Sequence, residues 1–165
     1  MRTRGLTRPQ VVVSFGLMTL NRLRNITIVV VEDDEDTRMY LSIFLGRLGA
    51  NVVAAEDAFK GLAAVKTHKP NLVVSDITMP GRDGFGLLRD IRALGPDAGG
   101  SIPVVAMTAL ATHVDRVRIL YAGFQAYVPK PSNPDELVKA ILTVLKHEPD
   151  VWPTDAGASW SHGSN

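Results

Sequence analysis

The chain is predicted to fold as a doubly wound α/β domain, a parallel sheet covered by helices on both faces, and two observations predict it. Five short apolar runs alternate strictly with stretches whose apolar residues recur at helical spacing. Four of the five runs also end in, or directly before, a polar or charged residue: Glu32-Asp33, Asp76, Thr108 and Lys130. In open parallel sheets, ligands bind outside the carboxyl ends of the strands. Right-handed crossovers then restrict the topology to a few doubly wound orders.

The elements follow in order. Ile26 to Val31 is a β-branched run suited to a central strand. Acids from Glu32 to Asp36 open a helix whose stripe is Tyr40, Leu41, Phe44, Leu45 and Leu48, with Gly49 as its stop signal. Asn51 to Ala55 is a weaker second strand, and Asp57 caps a second helix running to about His68 before Pro70. Leu72 to Asp76 is an apolar run that stops at a carboxylate ahead of the Pro80-Gly81 turn. Burying an unpaired carboxylate is costly, which puts Asp76 at the exposed carboxyl end of its strand.

Leu87, Leu88, Ile91 and Leu94 mark a third helix, and Ile102 to Met107 a fourth strand ending at Thr108. Thr112 caps a fourth helix that Gly123 stops, and Ala126 to Pro129 is a short fifth strand before Lys130-Pro131. Asn133, Pro134 and Glu136 open the last helix in the manner of a capping box, with Leu137, Val138, Ile141, Leu142 and Leu145 on one face.

This pattern divides the chain into an N-terminal extension at 1–24, a domain at 25–146 and a polar tail at 147–165. Charge follows the same division. Residues 1–25 carry five arginines and no acid (+5), residues 26–146 carry 13 basic and 14 acidic residues (−1), and residues 147–165 carry three acids without Lys or Arg (−3). The near-neutral body lacks the basic stripe of a nucleic-acid binder. No cysteine is present, so disulfides and thiolate metal sites are excluded, which fits a reducing, cytoplasmic compartment. The apolar stretch Val11 to Leu20 after Arg2, Arg4 and Arg8 is short, contains Ser14 and Thr19, and lacks a small-x-small cleavage site. It reads as an extension or an added element covering an apolar face, with no segment long enough to span a membrane.

Three carboxylates without His or Cys form a site for a hard cation such as Mg²⁺. An ammonium and a hydroxyl can hold phosphoryl oxygens, and a carboxylate can attack phosphorus to give an aspartyl-phosphate. Phosphoryl transfer needs positioning and charge neutralisation more than a general base. These groups therefore read as an acid that accepts a phosphoryl group.

The set resembles the receiver domain of two-component response regulators. The resemblance rests on Val31-Glu32-Asp33, Asp76-Ile77-Thr78-Met79-Pro80-Gly81-Arg82-Asp83-Gly84, Met107-Thr108-Ala109 and Tyr127-Val128-Pro129-Lys130-Pro131. It implies a flavodoxin-like (βα)5 three-layer sandwich with a five-stranded parallel sheet of order 2-1-3-4-5. Asp76 would be the phosphoacceptor, with Glu32, Asp33, Asp76 and the Thr78 backbone carbonyl holding Mg²⁺. Thr108 and Lys130 would bind the phosphoryl group, Thr108 and Tyr127 would act as the switch, and the bond before Pro131 would be cis.

The implied partners are a sensor histidine kinase or histidine phosphotransfer protein and a downstream protein. The face of the fourth helix, fifth strand and fifth helix would change on activation and is also a candidate homodimer surface. Such a domain is a signalling module, not an enzyme, that assists its own phosphorylation and dephosphorylation.

Phe124-Gln125-Ala126 stands where winged-helix regulators often carry acids, and Gly123 to Tyr127 with Lys130-Pro131 resembles receivers attached to hybrid sensor kinases. The tail has no room for a DNA-binding or catalytic output domain, so a stand-alone receiver is expected, with Trp152 and Trp160 in a flexible end. Neither Thr78 nor Leu110, which would flank the hydrolytic water, has a carboxylate or amide to orient it, which predicts long-lived phosphorylation. Thr78 also stands where a haloacid-dehalogenase-like phosphatase needs a second acid. The remaining alternative is a receiver-like interaction module that never takes phosphate.

Overall fold

The β-branched runs become strands of a single sheet in the computed structural model, which describes residues 22–109, 112–130 and 133–145. The strands are β1 (Thr27–Val31), β2 (Asn51–Ala55), β3 (Leu72–Asp76), β4 (Val104–Thr108) and β5 (Ala126–Pro129), all parallel in the order β2-β1-β3-β4-β5. They alternate with α1 (Glu35–Arg47), α2 (Ala58–His68), α3 (Gly84–Ala93), α4 (His113–Ala122) and α5 (Pro134–Leu145). A 3-10 turn at Pro96–Ala98 precedes β4.

Strand alternation sends successive side chains to opposite layers. Ile28 and Val30 pack with Leu41 and Leu45 of α1 and Leu137 and Ile141 of α5. Val29 and Val31 pack with Val65 of α2, Leu87 and Ile91 of α3, and Ile119 of α4. Every residue of β3 and β4 is buried, as central parallel strands require, whereas the edge strand β2 is mostly partly exposed. Among the described residues, no helix is long and apolar enough to cross a membrane.

The helix starts obey local chemistry. Asp34 Oδ1 accepts from Thr37 N at 2.8 Å, Asp57 Oδ1 from Lys60 N at 2.7 Å, and Asp83 Oδ1 from Gly86 N at 2.7 Å. Thr112 and Asp115 form a reciprocal capping box on α4. Asn133 Oδ1 accepts from Asp135 N at 3.0 Å at the start of α5. The α4 helix stops at Gly123, whose φ of 105° suits a residue without Cβ.

Three expectations shift in detail. The core begins at Leu23 rather than Asn25: Leu23 is fully buried, and its N–H donates to Leu48 O at 2.9 Å. Residues 1–21 and the tail with Trp152 and Trp160 lie outside the described residues. Strand β4 starts at Val104 and not Ile102, because Pro103 has no N–H and the Ile102 carbonyl accepts from Arg92 Nη1 at 2.8 Å. Tyr40, placed by periodicity on the buried stripe, is exposed and stacks on Phe44 with ring centroids 6.0 Å apart.

Arg92 also explains Gln125. Its Nη2 donates to Gln125 Oε1 at 3.1 Å, and that oxygen accepts from Val104 N at 2.7 Å. A guanidinium from α3 and an amide side chain thus tie together the amino ends of β4 and β5, at the opposite end of the sheet from Asp76.

Candidate functional site

Parallel register brings the polar groups together. Val31 pairs with Ser75, so Glu32 comes level with Asp76 on the neighbouring strand. Asp76 pairs with Met107, and Thr108 with Pro129, which puts Thr108 and Lys130 at the same end of the sheet. Groups as far apart in sequence as Glu32 and Lys130 therefore meet because five strands end together.

Lys130 reaches across from the end of β5. Its Nζ lies 2.7 Å from Glu32 Oε2 and 3.1 Å from Asp76 Oδ2. Asp76 Oδ1 accepts from Thr78 N at 3.2 Å. Glu32 is 1% exposed and Asp76 6%, while Asp33 is open to solvent. Asp76 stands at a strand's carboxyl end as expected, but it is nearly buried rather than exposed. Its carboxylate is paired, so the desolvation argument that placed it in solvent does not apply.

Carboxylate oxygens of Glu32, Asp33 and Asp76 lie within 4.8 Å of one another. Oxygens around one octahedral Mg²⁺ at about 2.1 Å stand roughly 3–4 Å apart, so the cluster need close by only about an ångström. All three donors are hard oxygens, with no nitrogen or sulfur among them. The site fits a hard divalent cation.

Electrostatics explains why this cluster is poised. Burial pushes the Glu32 carboxyl above its ordinary range, and the nearby Asp76 charge adds to that, while the bond to Lys130 works against both. Burial pulls the Lys130 ammonium down, but its contacts with Glu32 and Asp76 outweigh this and leave it raised. Lys130 stays charged. Glu32, Asp76 and Lys130 therefore share a largely buried site in which one ammonium lies between two acids.

The backbone behind Asp76 is held by a close approach. A Cβ on Gly84 would lie 2.4 Å from Asp76 O and 2.9 Å from Ile77 Cα, both backbone atoms that cannot turn aside. Gly84 N also donates to Ile77 O at 2.9 Å. Gly84→Ala is expected to destabilise the fold by about 2–3 kcal/mol, in the range of overpacked cores. Thermal unfolding of the two proteins measures this directly.

Thr108 is fully buried, and its carbonyl accepts from Lys130 N at 2.8 Å. Tyr127 is half-buried on β5 opposite Ala106, against the layer that contains α2, α3 and α4. The Thr78 side chain is exposed beside Asp76. Pro131, with its expected cis bond, and Leu110 lie outside the described residues. His68 and His113 face solvent, while His147 and His162 are likewise outside the described part.

Sequence reasoning missed Arg38. Its Nη1 donates to Glu32 O at 2.7 Å and Asp33 O at 3.1 Å. The available signal was a basic residue in a helix start otherwise rich in acids, where the dipole disfavours it.

A family model for the response regulator receiver domain matches residues 28–142. The chain belongs to the response regulator receiver family, whose members are signalling domains. It is 38% identical over 122 residues to a 14.6 kDa protein of Leptolyngbya boryana, covering 74% of this chain and 92% of that protein. It is 36% identical over 124 residues to Protein PetR of Rhodobacter capsulatus, covering 75% of this chain and 50% of PetR. The match likewise spans 48% of the probable transcriptional regulator ycf27 of Porphyridium aerugineum, so the chain spans about half the length of each of these two proteins.

Solved structures agree with the fold. The signal receiver domain of a DNA-binding response regulator from Colwellia psychrerythraea superposes with a TM-score of 0.66 at 31% identity, covering 74% of this chain and 99% of that one. The receiver domain of Francisella response regulator 1452 gives 0.67 at 25% identity, covering 74% and 98%. The flavodoxin-like (βα)5 architecture with strand order 2-1-3-4-5 is that of these receivers.

Proposed function

We propose that the domain is a phosphoacceptor receiver in which Asp76 takes a phosphoryl group from a histidine kinase or histidine phosphotransfer protein. The observation that carries this is the meeting of Glu32, Asp33 and Asp76 with Lys130 at one end of the sheet. An Asp76 oxygen attacks phosphorus, the P–N bond to the donor imidazole breaks, and its electron pair stays on the imidazole nitrogen. Lys130 turns from the carboxylates to the incoming phosphoryl oxygens, a point charge on a flexible stem. Thr108 donates its hydroxyl to another of those oxygens. Glu32, Asp33, Asp76 and the Thr78 carbonyl would hold Mg²⁺, which would supply the charge neutralisation needed for a phosphoryl group to approach three acids.

Output follows from a local charge biasing a two-state element. Val114, Val117 and Tyr121 are exposed at helical spacing on α4, an apolar stripe suited to a protein partner or a second copy. Thr108 and Tyr127 are the residues that would link phosphorylation to this face. Beryllofluoride with Mg²⁺ is expected to shift backbone amide resonances across α4, β5 and α5. A response confined to the ends of β1 and β3 would remove the proposed output face. No response at all would favour a phosphorylation-independent interaction module.

Neither Thr78 nor Leu110 carries a carboxylate or amide to orient an attacking water. The phosphorylated form is therefore expected to persist for minutes or longer in a radiolabel chase. Loss of label within seconds would contradict this.

A further inference from the structure

We propose that Arg38 is a positioning residue for the metal-binding acids of the β1–α1 turn, an inference that rests on the phosphoacceptor reading above. Three consecutive carbonyls in this turn end on one residue. Arg38 Nη1 donates to Glu32 O at 2.7 Å and to Asp33 O at 3.1 Å, and Arg38 N donates to Asp34 O at 2.9 Å. The Asp34 side chain meanwhile caps Thr37 N, so the turn is pinned from both sides. Ser42 Oγ donates to Arg38 O at 2.7 Å and ties the clamp to the next turn of α1.

Geometry explains why an arginine does this. Helical side chains lean toward the helix N-terminus, so a long side chain four residues after the cap lies over the preceding turn. The guanidinium is the one side chain with several donors in a fixed fork, able to satisfy more than one carbonyl. A cation at a helix start opposes the macrodipole, so the helix gains nothing from Arg38 by charge. Its contribution lies in the turn.

Setting the directions of three carbonyls sets the three peptide planes between Glu32 and Glu35. Those planes fix where the Cα–Cβ bonds of Glu32 and Asp33 point. Asp33 is exposed, so packing does little to hold its side chain. The clamp therefore decides whether its carboxylate faces Glu32 and Asp76 or turns into solvent. Residues that orient metal ligands in this indirect way commonly change metal affinity by about 10–100-fold.

The test is a Mg²⁺ titration without any phosphoryl donor, followed by the amide resonances of Glu32 and Asp33. Wild type, Arg38→Met, Arg38→Lys and Arg47→Met are compared, the last removing an exposed cation from the other end of α1. Arg38→Met is expected to weaken Mg²⁺ binding by about 10-fold or more, with Arg38→Lys intermediate and Arg47→Met unchanged. The sign discriminates, because deleting a nearby cation should by charge alone tighten binding of another cation. Equal or tighter binding in Arg38→Met overturns the inference. If that variant fails to fold, equal or tighter binding in Arg38→Lys does the same. If wild type itself binds no Mg²⁺, the metal reading falls first and this inference with it. Wild-type binding with unaltered Arg38 variants sinks only the inference.

Discussion

Asp76→Asn is expected to take up no phosphoryl group from acetyl phosphate with Mg²⁺, while wild type gains one that hydroxylamine removes, as it does from acyl phosphates. The amide nitrogen and oxygen of Asn keep the shape of the carboxylate but lack its nucleophilic charge. The fold should survive. Thr78 N can still donate to the side-chain oxygen, and Lys130 keeps Glu32 at 2.7 Å. Removing one of two neighbouring acids also relieves the repulsion that helps raise Glu32. Stability is therefore expected to stay within about 1–2 kcal/mol of wild type. Intact-protein mass spectrometry and thermal unfolding on the same samples separate a chemical loss from a structural one. Equal labelling of both proteins would mean that another residue accepts the group.

Lys130→Met is expected to be the most destabilising change at the site when Mg²⁺ is absent. It keeps the length of the stem and removes the ammonium that pairs with both buried acids. What remains for Glu32 is a long contact from Asp34 N at 3.4 Å. Breaking a buried ion pair by deleting one partner typically costs about 3–5 kcal/mol, and the partial exposure of Lys130 places this case near about 3 kcal/mol. The pH dependence follows from the sign of the shift. Glu32 is already raised in the folded state, so the folded protein holds its proton to higher pH than the unfolded chain does. Without Lys130 that rise grows. The stability deficit should accordingly widen as pH increases from the ordinary carboxyl range toward neutrality and beyond. Saturating Mg²⁺ replaces the lost cation, and at 100 times its dissociation constant it contributes about 2.7 kcal/mol. Unfolding scans at pH 5 and 8, with and without Mg²⁺, test each step. A variant as stable as wild type at pH 8 without Mg²⁺ would show that the acids do not need their counter-ion.

The two predictions draw on different levels of information. That Asp76 stands at the end of a central strand was legible locally, because Leu72 to Asp76 is an apolar run stopped by an acid and followed by Pro80-Gly81. The alternation of strand and helix and the helix stripes were legible for the same reason, and so were the caps at Asp57 and Thr112. Each depends on neighbours within a few residues. The cap at Asp83 and the clamp at Arg38 were not read. Arg38 in particular looks like one more charge on a solvated helix start until its carbonyl partners are seen.

Local pattern thus determined the five strands, the five helices and the short set of groups at the strand ends. The burial of Asp76, its pairing with Lys130 and the clamping of the β1–α1 turn were decided only by the assembled sheet. The desolvation rule alone predicted an exposed Asp76, since a buried carboxylate needs a partner and none lies nearby in sequence. Its partner comes from 54 residues further along the chain, brought level by the register of three neighbouring strands. Whether a charge can be buried depends on what surrounds it in three dimensions, and residue spacing along one strand carries no information about that.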